Sequence, residues 1–381
     1  MPRFDPQLGP DITAFVEHHR SQPTVLFDEH LASLEETAAR DALEKVRIYL
    51  DLRYWIFLRD ASLGKPQRPV HLKLLDALAG GVQSGKMVCP ITESVFFELD
   101  RQGDTVRRME TARIIDRLSS GVVIKNSLDR FACEVTDLFD AAIVRKELPQ
   151  RPCRAVWTRP FSFLGTPRIS GWGDAEDLAI NKAVSSYMWT RSLQDLLTDT
   201  PVPDDEWDDN SREVAVKITQ SSARNAAQMR SFAQVLDDEQ CGLIDAHRAE
   251  ISQAFRPYMA AQLPNGTDPE TVDKTSSEQA SLNLVYSVLT DKKPNLALPL
   301  IRILAGLHAF IRWQRRRPFQ FQDFFDIRHA CAAIPYCDVF LTEKFLRTAC
   351  SSTLLNFGTS FGTQIISDEN EALQVVSQLA T

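Results

Sequence analysis

Asp51 ends the apolar run Val46-Arg47-Ile48-Tyr49-Leu50, and far downstream Asp326 and then Asp338 precede a second run, Val339-Phe340-Leu341, that leads into Thr342. A carboxylate at the tip of a buried strand is costly unless something compensates it. Glu98 follows a third short run, Met87-Val88-Cys89, at the far side of one helical segment. Acids gathered in one place cannot all ionise without a counter-charge. Oxygen-only ligation suits Mg2+ or Mn2+, which keep several waters for a substrate phosphate. The chemistry that fits is hydrolysis of a phosphodiester, with the metal activating water and neutralising the leaving oxygen. The expected catalytic and metal-binding set is therefore Asp51, Glu98, Asp326 and Asp338. Singly, each has a plainer reading: Glu98 and Asp326 solvate helix surfaces and Asp338 opens a turn. As an ordered set they favour the metal.

Such acids converge only if a sheet brings them together, because ligands of an open parallel sheet gather beyond the carboxyl ends of its strands. The pattern supplies one. A strand at 46–50 is followed by a helix from His71 that Gly80-Gly81 should stop. A short strand at Met87–Pro90 comes next, then a helix N-capped by Thr92 that carries Glu98 two turns in. A helix over 105–118 and a strand over 121–126 complete an alternation that implies parallel pairing with right-handed crossovers. From 128 to 320 helical periodicity dominates, over 174–197, 209–236, 239–262, 276–290 and 297–315. The alternation then resumes with a helix at 322–333, a strand at 338–342, a helix at 343–356, a strand at 364–367 and a last helix from Glu369. The expected organisation is α/β: an N-terminal helical segment over 1–45, a sheet domain over 46–127 and 321–381, and a mostly helical insertion over 128–320.

With those elements placed, the chain resembles the PIN-like nuclease domain family. Ile48-Tyr49-Leu50-Asp51 looks like the family's first strand-end aspartate. The segment from Thr92 to Leu99 is similar to its second strand-to-helix element, with Glu98 at the glutamate position. Asp326 and its helix, followed by Asp338 to Thr342, look like the C-terminal signature. The resemblance covers roughly 46–126 and 322–367. It implies a three-layer sandwich around a parallel sheet and a metal-dependent endoribonuclease acting on single-stranded RNA with Mg2+ or Mn2+. The chain departs from the family at Lys344, where many members carry Asp or Asn; Glu343 or Asp338 is the expected substitute. Thr342 would hold a carboxylate by hydrogen bond. Glu93 lies near Glu98, and Asp323 near Asp326, as peripheral acids. His329, one helical turn after Asp326, would orient a carboxylate or simply be a satisfied histidine. The alternative function is a catalytically weak PIN-like scaffold that binds RNA, a protein partner or a second copy through its helical insertion.

Bulk composition narrows the field further. Asp and Glu outnumber Lys and Arg by 51 to 43, a net charge of −8, which argues against coating duplex nucleic acid and leaves room for a cleft enzyme. A basic group, Arg312, Arg315, Arg316 and Arg317, borders the re-entry into the sheet domain, with Phe319, Phe321, Phe324 and Phe325 close behind. Arg315 to Arg317 are the expected RNA contacts, and the phenylalanines read as core. Seven cysteines without a CxxC or zinc spacing read as reduced thiols. No signal peptide pattern opens the chain, and Pro299, Arg302 and His308 interrupt its longest apolar stretch before membrane length. The expected location is cytoplasmic.

Two look-alikes fail. Gly80 to Met87 imitates a phosphate-binding loop, but Met87 stands where a Ser or Thr must hold magnesium, and the segment runs helix to strand, the reverse of the required order. A halo-acid-dehalogenase type of phosphatase needs a second Asp two residues after the first, where this chain has Arg53.

Overall fold

The computed structural model describes residues 10–150, 152–165, 168–199, 206–263, 268–291, 295–314 and 317–380. At its centre lies a small parallel sheet: β1 (Val46–Leu50), β2 (Met87–Val88), β5 (Val339–Leu341) and β6 (Gln364–Ile366), in the order β2-β1-β5-β6. Between β2 and β5 in sequence, β3 (Val123–Ile124) and β4 (Trp157–Thr158) form an antiparallel pair. A single parallel bridge from Ile91 to Val123 joins that pair to the β2 side. Successive strand residues point to opposite faces, yet Ile48, Tyr49 and Leu50 are all 0% exposed, so both faces of β1 are covered. Burial on this scale contributes roughly 1.5–3 kcal/mol per large aliphatic side chain. That is what lets a strand tip tolerate a costly acid.

Register decides which strand ends meet. Leu50 pairs with Leu341 and Ile48 with Val339, so the carboxyl ends of β1 and β5 are level, with Asp51 next to Thr342. The Asp51 amide donates to the Leu341 carbonyl at 3.1 Å, and the Thr342 amide to that of Ile366 at 2.8 Å. From β1 the chain moves outward to β2 on one side, and from β5 to β6 on the other. The reversal of direction therefore falls between β1 and β5.

The rest of the chain is mostly helical. Helix Phe27–Leu43 leads into β1, helix Leu52–Ser62 leaves it, and helix Pro69–Gln83 crosses to β2. That last helix runs through Gly80-Gly81 instead of stopping there. Gly81 is needed for close packing, because a Cβ would run into the Met87 sulfur, and the chain turns later at Gly85, where φ is +74°. The long helices of 128–320 include Asp174–Trp189, Glu206–Asn225, Phe232–Ala246, Arg248–Ala260, Lys274–Thr290 and Pro299–Gln314.

Among the described residues three hydrophobic cores result, and the largest does not stop at the expected domain limits. Leu193, Leu196, Ile303 and Leu307 belong to the core of the sheet although they lie within 128–320. A second core gathers Phe131, Phe139, Ile251, Phe255 and Val285. Among the described residues no helix is long and apolar enough to cross a membrane.

Candidate functional site

Asp51 is the N-cap of helix Leu52–Ser62 and accepts from the Tyr54 amide at 3.2 Å. The position serves two ends, because a strand-end Asp both starts a helix and stands at the reversal point of the sheet. Burial pushes its carboxyl up to about 6; the positive field of His329, the Tyr54 amide and Thr342 oppose the rise, while Glu98 adds to it. Thr342 is fully buried, and its hydroxyl makes no hydrogen bond of ordinary geometry although it lies near enough to influence Asp51.

Asp326, in the first turn of helix Asp323–Tyr336, is raised further, to about 8. Burial is the main cause, and the charge of Glu343 is the next; Asp51 and Asp323 add repulsion, and His329 works against it. Glu343 takes the N-cap position of helix Lys344–Cys350 with no capping hydrogen bond from its side chain. Asp51 and Glu343 thus both act electrostatically on Asp326, so that three segments contribute. Lys344 points into solvent.

His329 is what ties Glu98 to this group. The imidazole is 1% exposed and fully engaged, with Nδ1 at 2.7 Å from the Tyr49 hydroxyl and Nε2 at 2.8 Å from Glu98 Oε2. Burial lowers its pKa, but Glu98, Asp51 and Asp326 together outweigh that and raise it. With the ring protonated, both nitrogens donate, and the Tyr49 hydroxyl passes its own proton to Thr92 Oγ1 at 2.8 Å. Thr92 occupies the N-cap position of helix Glu93–Asp100, but its hydroxyl goes to Tyr49 and makes no cap bond. The histidine is both satisfied and the orienter of a carboxylate. Tyr49 was not singled out from sequence, although a tyrosine two residues before Asp51 lies on the same strand face and signals a hydroxyl beneath the acid.

Asp338 does not join the set. It precedes β5, so it lies at the amino end of the strand, and four residues of extended chain from Asp338 to Thr342 span about 13 Å. There it accepts from the Arg47 backbone amide at 2.8 Å, from Nε at 2.9 Å and from Nη2 at 2.7 Å. This bidentate pair corrects the expectation of a metal ligand. Glu93 is also otherwise committed: its Oε1 accepts from the Ser127 amide at 2.9 Å, at the start of helix Ser127–Phe139.

The expected RNA contacts fare unevenly. Arg317 forms two hydrogen bonds to the fully buried Asp323, at 2.8 and 2.6 Å, and lies 4.0 Å over the Phe345 ring, so its guanidinium is a structural tie. Arg312 pairs with Glu239. Arg315 and Arg316 lie outside the described residues. Of the four phenylalanines expected in the core, Phe319 and Phe325 are buried, and Phe321 and Phe324 are half-buried.

Whether the acids suit a metal depends on chemistry and spacing. The donors are all oxygens, and two of them carry raised pKa values, mainly because they are buried and then because neighbouring acids repel their charge. That donor set fits a hard dication. Their spacing is looser: among the described residues no three His, Cys, Asp or Glu side chains stand close enough to share a metal ion. Compared with protein-family models, with curated proteins and with solved structures, the chain matches none.

Proposed function

We propose that the protein is a metal-dependent endoribonuclease of PIN-like architecture, with helices on both faces of its parallel sheet in a three-layer arrangement. One observation carries this reading: uncompensated carboxylates, Asp51 and Asp326 above all, collect at the carboxyl ends of β1 and β5, where the sheet reverses direction. That is the place where open α/β sheets bind ligands.

Asp51 and Asp326 would hold Mg2+ or Mn2+, with Glu98 and Glu343 contributing directly or through water. A bound dication supplies charge neutralisation at a scissile phosphate and a more acidic water. The chain's own residues do the positioning. The Tyr54 amide fixes one oxygen of Asp51, His329 fixes Glu98, and Tyr49 fixes His329. At neutral pH without a cation, Asp326 retains its proton, which relieves the repulsion from Glu343 and Asp51.

The test is Mn2+-dependent cleavage of a single-stranded RNA by the wild-type chain and by Asp51→Asn, a substitution that keeps a capping side chain and removes the charge. Cleavage that is lost in the variant supports the function; cleavage that persists unchanged overturns it. The loose spacing of the acids and the solvent-facing Lys344 favour a second reading. In it the chain is a catalytically weak scaffold that binds RNA or a protein through its helical insertion, and wild type and Asp51→Asn alike would leave RNA uncut.

A further inference from the structure

Three helices begin side by side near Asp51: Leu52–Ser62, Pro69–Gln83 and Glu369–Ala380. Glu369 opens the third, and its carboxylate is buried at 7% side-chain exposure. Arg53, in the first turn of the first helix, reaches Glu369 Oε1 at 3.4 Å. Arg68, at the N-cap position of the second, pairs with Oε2. The Arg53 and Arg68 side chains remain 47% and 55% exposed. Each has five N–H donors and directs one of them to Glu369, so both forks are open to solvent. Arg53 also lies 5.1 Å over the Phe57 ring, which stacks on His71 at 4.2 Å, and this fixes the fork in place.

Two buried groups aimed into the same cluster have no hydrogen-bond partner. His71 is 1% exposed, and neither ring nitrogen makes a hydrogen bond, although Nε2 lies 3.4 Å from Glu369 Oε2. The Tyr54 hydroxyl is likewise buried and unpartnered, within electrostatic reach of Asp51, Arg53, Glu369 and Asp368. Asp368 is not free to answer it fully, because its Oδ1 caps the third helix through the amides of Asn370 and Glu371, each at 3.0 Å. Buried donors without acceptors, next to two exposed forks and three helix N-termini, are what an anion site presents.

We propose that Arg53 and Arg68 form a phosphate subsite beside the Asp51 centre, with Glu369 as the resident anion that holds the forks until a phosphate takes them. It rests on the ribonuclease reading in taking that phosphate to be one of the RNA backbone, next to the bond being cut. Arginine forks match phosphate oxygens two at a time, and Glu369 competes with the ligand for the same N–H groups. The alternative is a structural lock joining three helix ends.

Titration with inorganic pyrophosphate separates the two. Under the subsite, Glu369→Gln frees both forks and binds pyrophosphate at least tenfold more tightly than wild type, whereas Arg53→Ala and Arg68→Ala each bind at least tenfold more weakly. Arg113→Ala, an exposed arginine paired with Glu110, leaves binding unchanged. Should Glu369→Gln not fold, Arg68→Lys decides, since it keeps the charge but not the fork and must still weaken binding severalfold. Pyrophosphate affinity that is unaffected by Glu369→Gln, or reduced as much by Arg113→Ala as by Arg68→Ala, overturns the subsite. Displacement of pyrophosphate by a short single-stranded oligonucleotide supports a backbone phosphate. Binding without displacement supports a free phosphate ligand at the same forks. Cleavage is read through Asp51→Asn and pyrophosphate binding through the Arg53, Arg68 and Glu369 variants, so failure of the cleavage function and failure of the subsite give different results.

Discussion

The two ends of the β1–β5 pair treat acids in opposite ways. At the amino end, Asp338 is held by the Arg47 guanidinium and backbone amide, and its charge is answered by three hydrogen bonds. At the carboxyl end, Glu343 and Asp51 repel a charge on Asp326, and the His329 imidazole held by Glu98 works against that repulsion. The same residue type, next to the same strand pair, is a structural tie in one place and stored repulsion in the other. A parallel sheet permits this asymmetry because all its carboxyl ends, and the helix N-termini that follow them, lie on one edge.

The sharpest way to break the comparison is to neutralise one acid at each end. Asp51→Asn should lower Mn2+-dependent RNA cleavage by more than about 100-fold, beyond the roughly 10–100-fold typical of a residue that only supports a ligand. Equal losses in Asp51→Asn and Asp338→Ala would erase the distinction between the ends. His329→Gln comes next, and should weaken Mn2+ binding by roughly 10–100-fold through loss of the bond that orients Glu98. A Mn2+ titration followed by thermal unfolding reads this, and an unchanged midpoint shift would remove His329 from the site.

The third effect is on stability against pH in metal-free protein. Asp326 is raised from 3.8 to about 8, so the protonated form favours the fold. Its contribution is fully present below about pH 4 and is lost as the pH rises through about 8. Asp326→Asn should therefore be more stable than wild type at pH 9, on the order of 1–3 kcal/mol, with the difference vanishing near pH 4. A variant less stable than wild type at pH 9 would mean that the carboxylate is already compensated. The smallest effect belongs to the amino end. The pair of Asp338 with Arg47 is partly exposed, so Asp338→Ala should cost about 1 kcal/mol in denaturant unfolding and leave cleavage intact.

Much of this was legible in the sequence, and what was not has identifiable causes. Strand β1 has the expected limits, 46–50, because an apolar run buried on both faces needs no periodicity to be read. Helix Leu52–Ser62 went unread for the converse reason: Tyr54, Trp55, Phe57, Leu58 and Ala61 are all buried, so no polar face marks it. Its N-cap is the same Asp51 that was read only as a ligand. Chain direction alone puts Asp338, which precedes its strand, at the edge away from Asp51. The Arg47 that neutralises it becomes visible only once Ile48 is in register with Val339. Thr92 has the type and place of a capping residue, but the Tyr49 hydroxyl of a neighbouring strand claims its side chain.

The sequence by itself determined the strands of the parallel sheet, their alternation with helices, and the presence of an acid directly after β1, since these follow from local apolar runs and turn chemistry. That Val123–Ile124 pairs antiparallel with Trp157–Thr158, and does not extend the parallel alternation, was decided by tertiary contact. Which acids meet was decided by tertiary structure. Glu98 and His329 are 231 residues apart, and their contact exists because β1 lies between β2 and β5 with its neighbours in register. Burial, which sets the pKa of Asp51 and Asp326, is a property of that packing and is not written in any single segment of the chain.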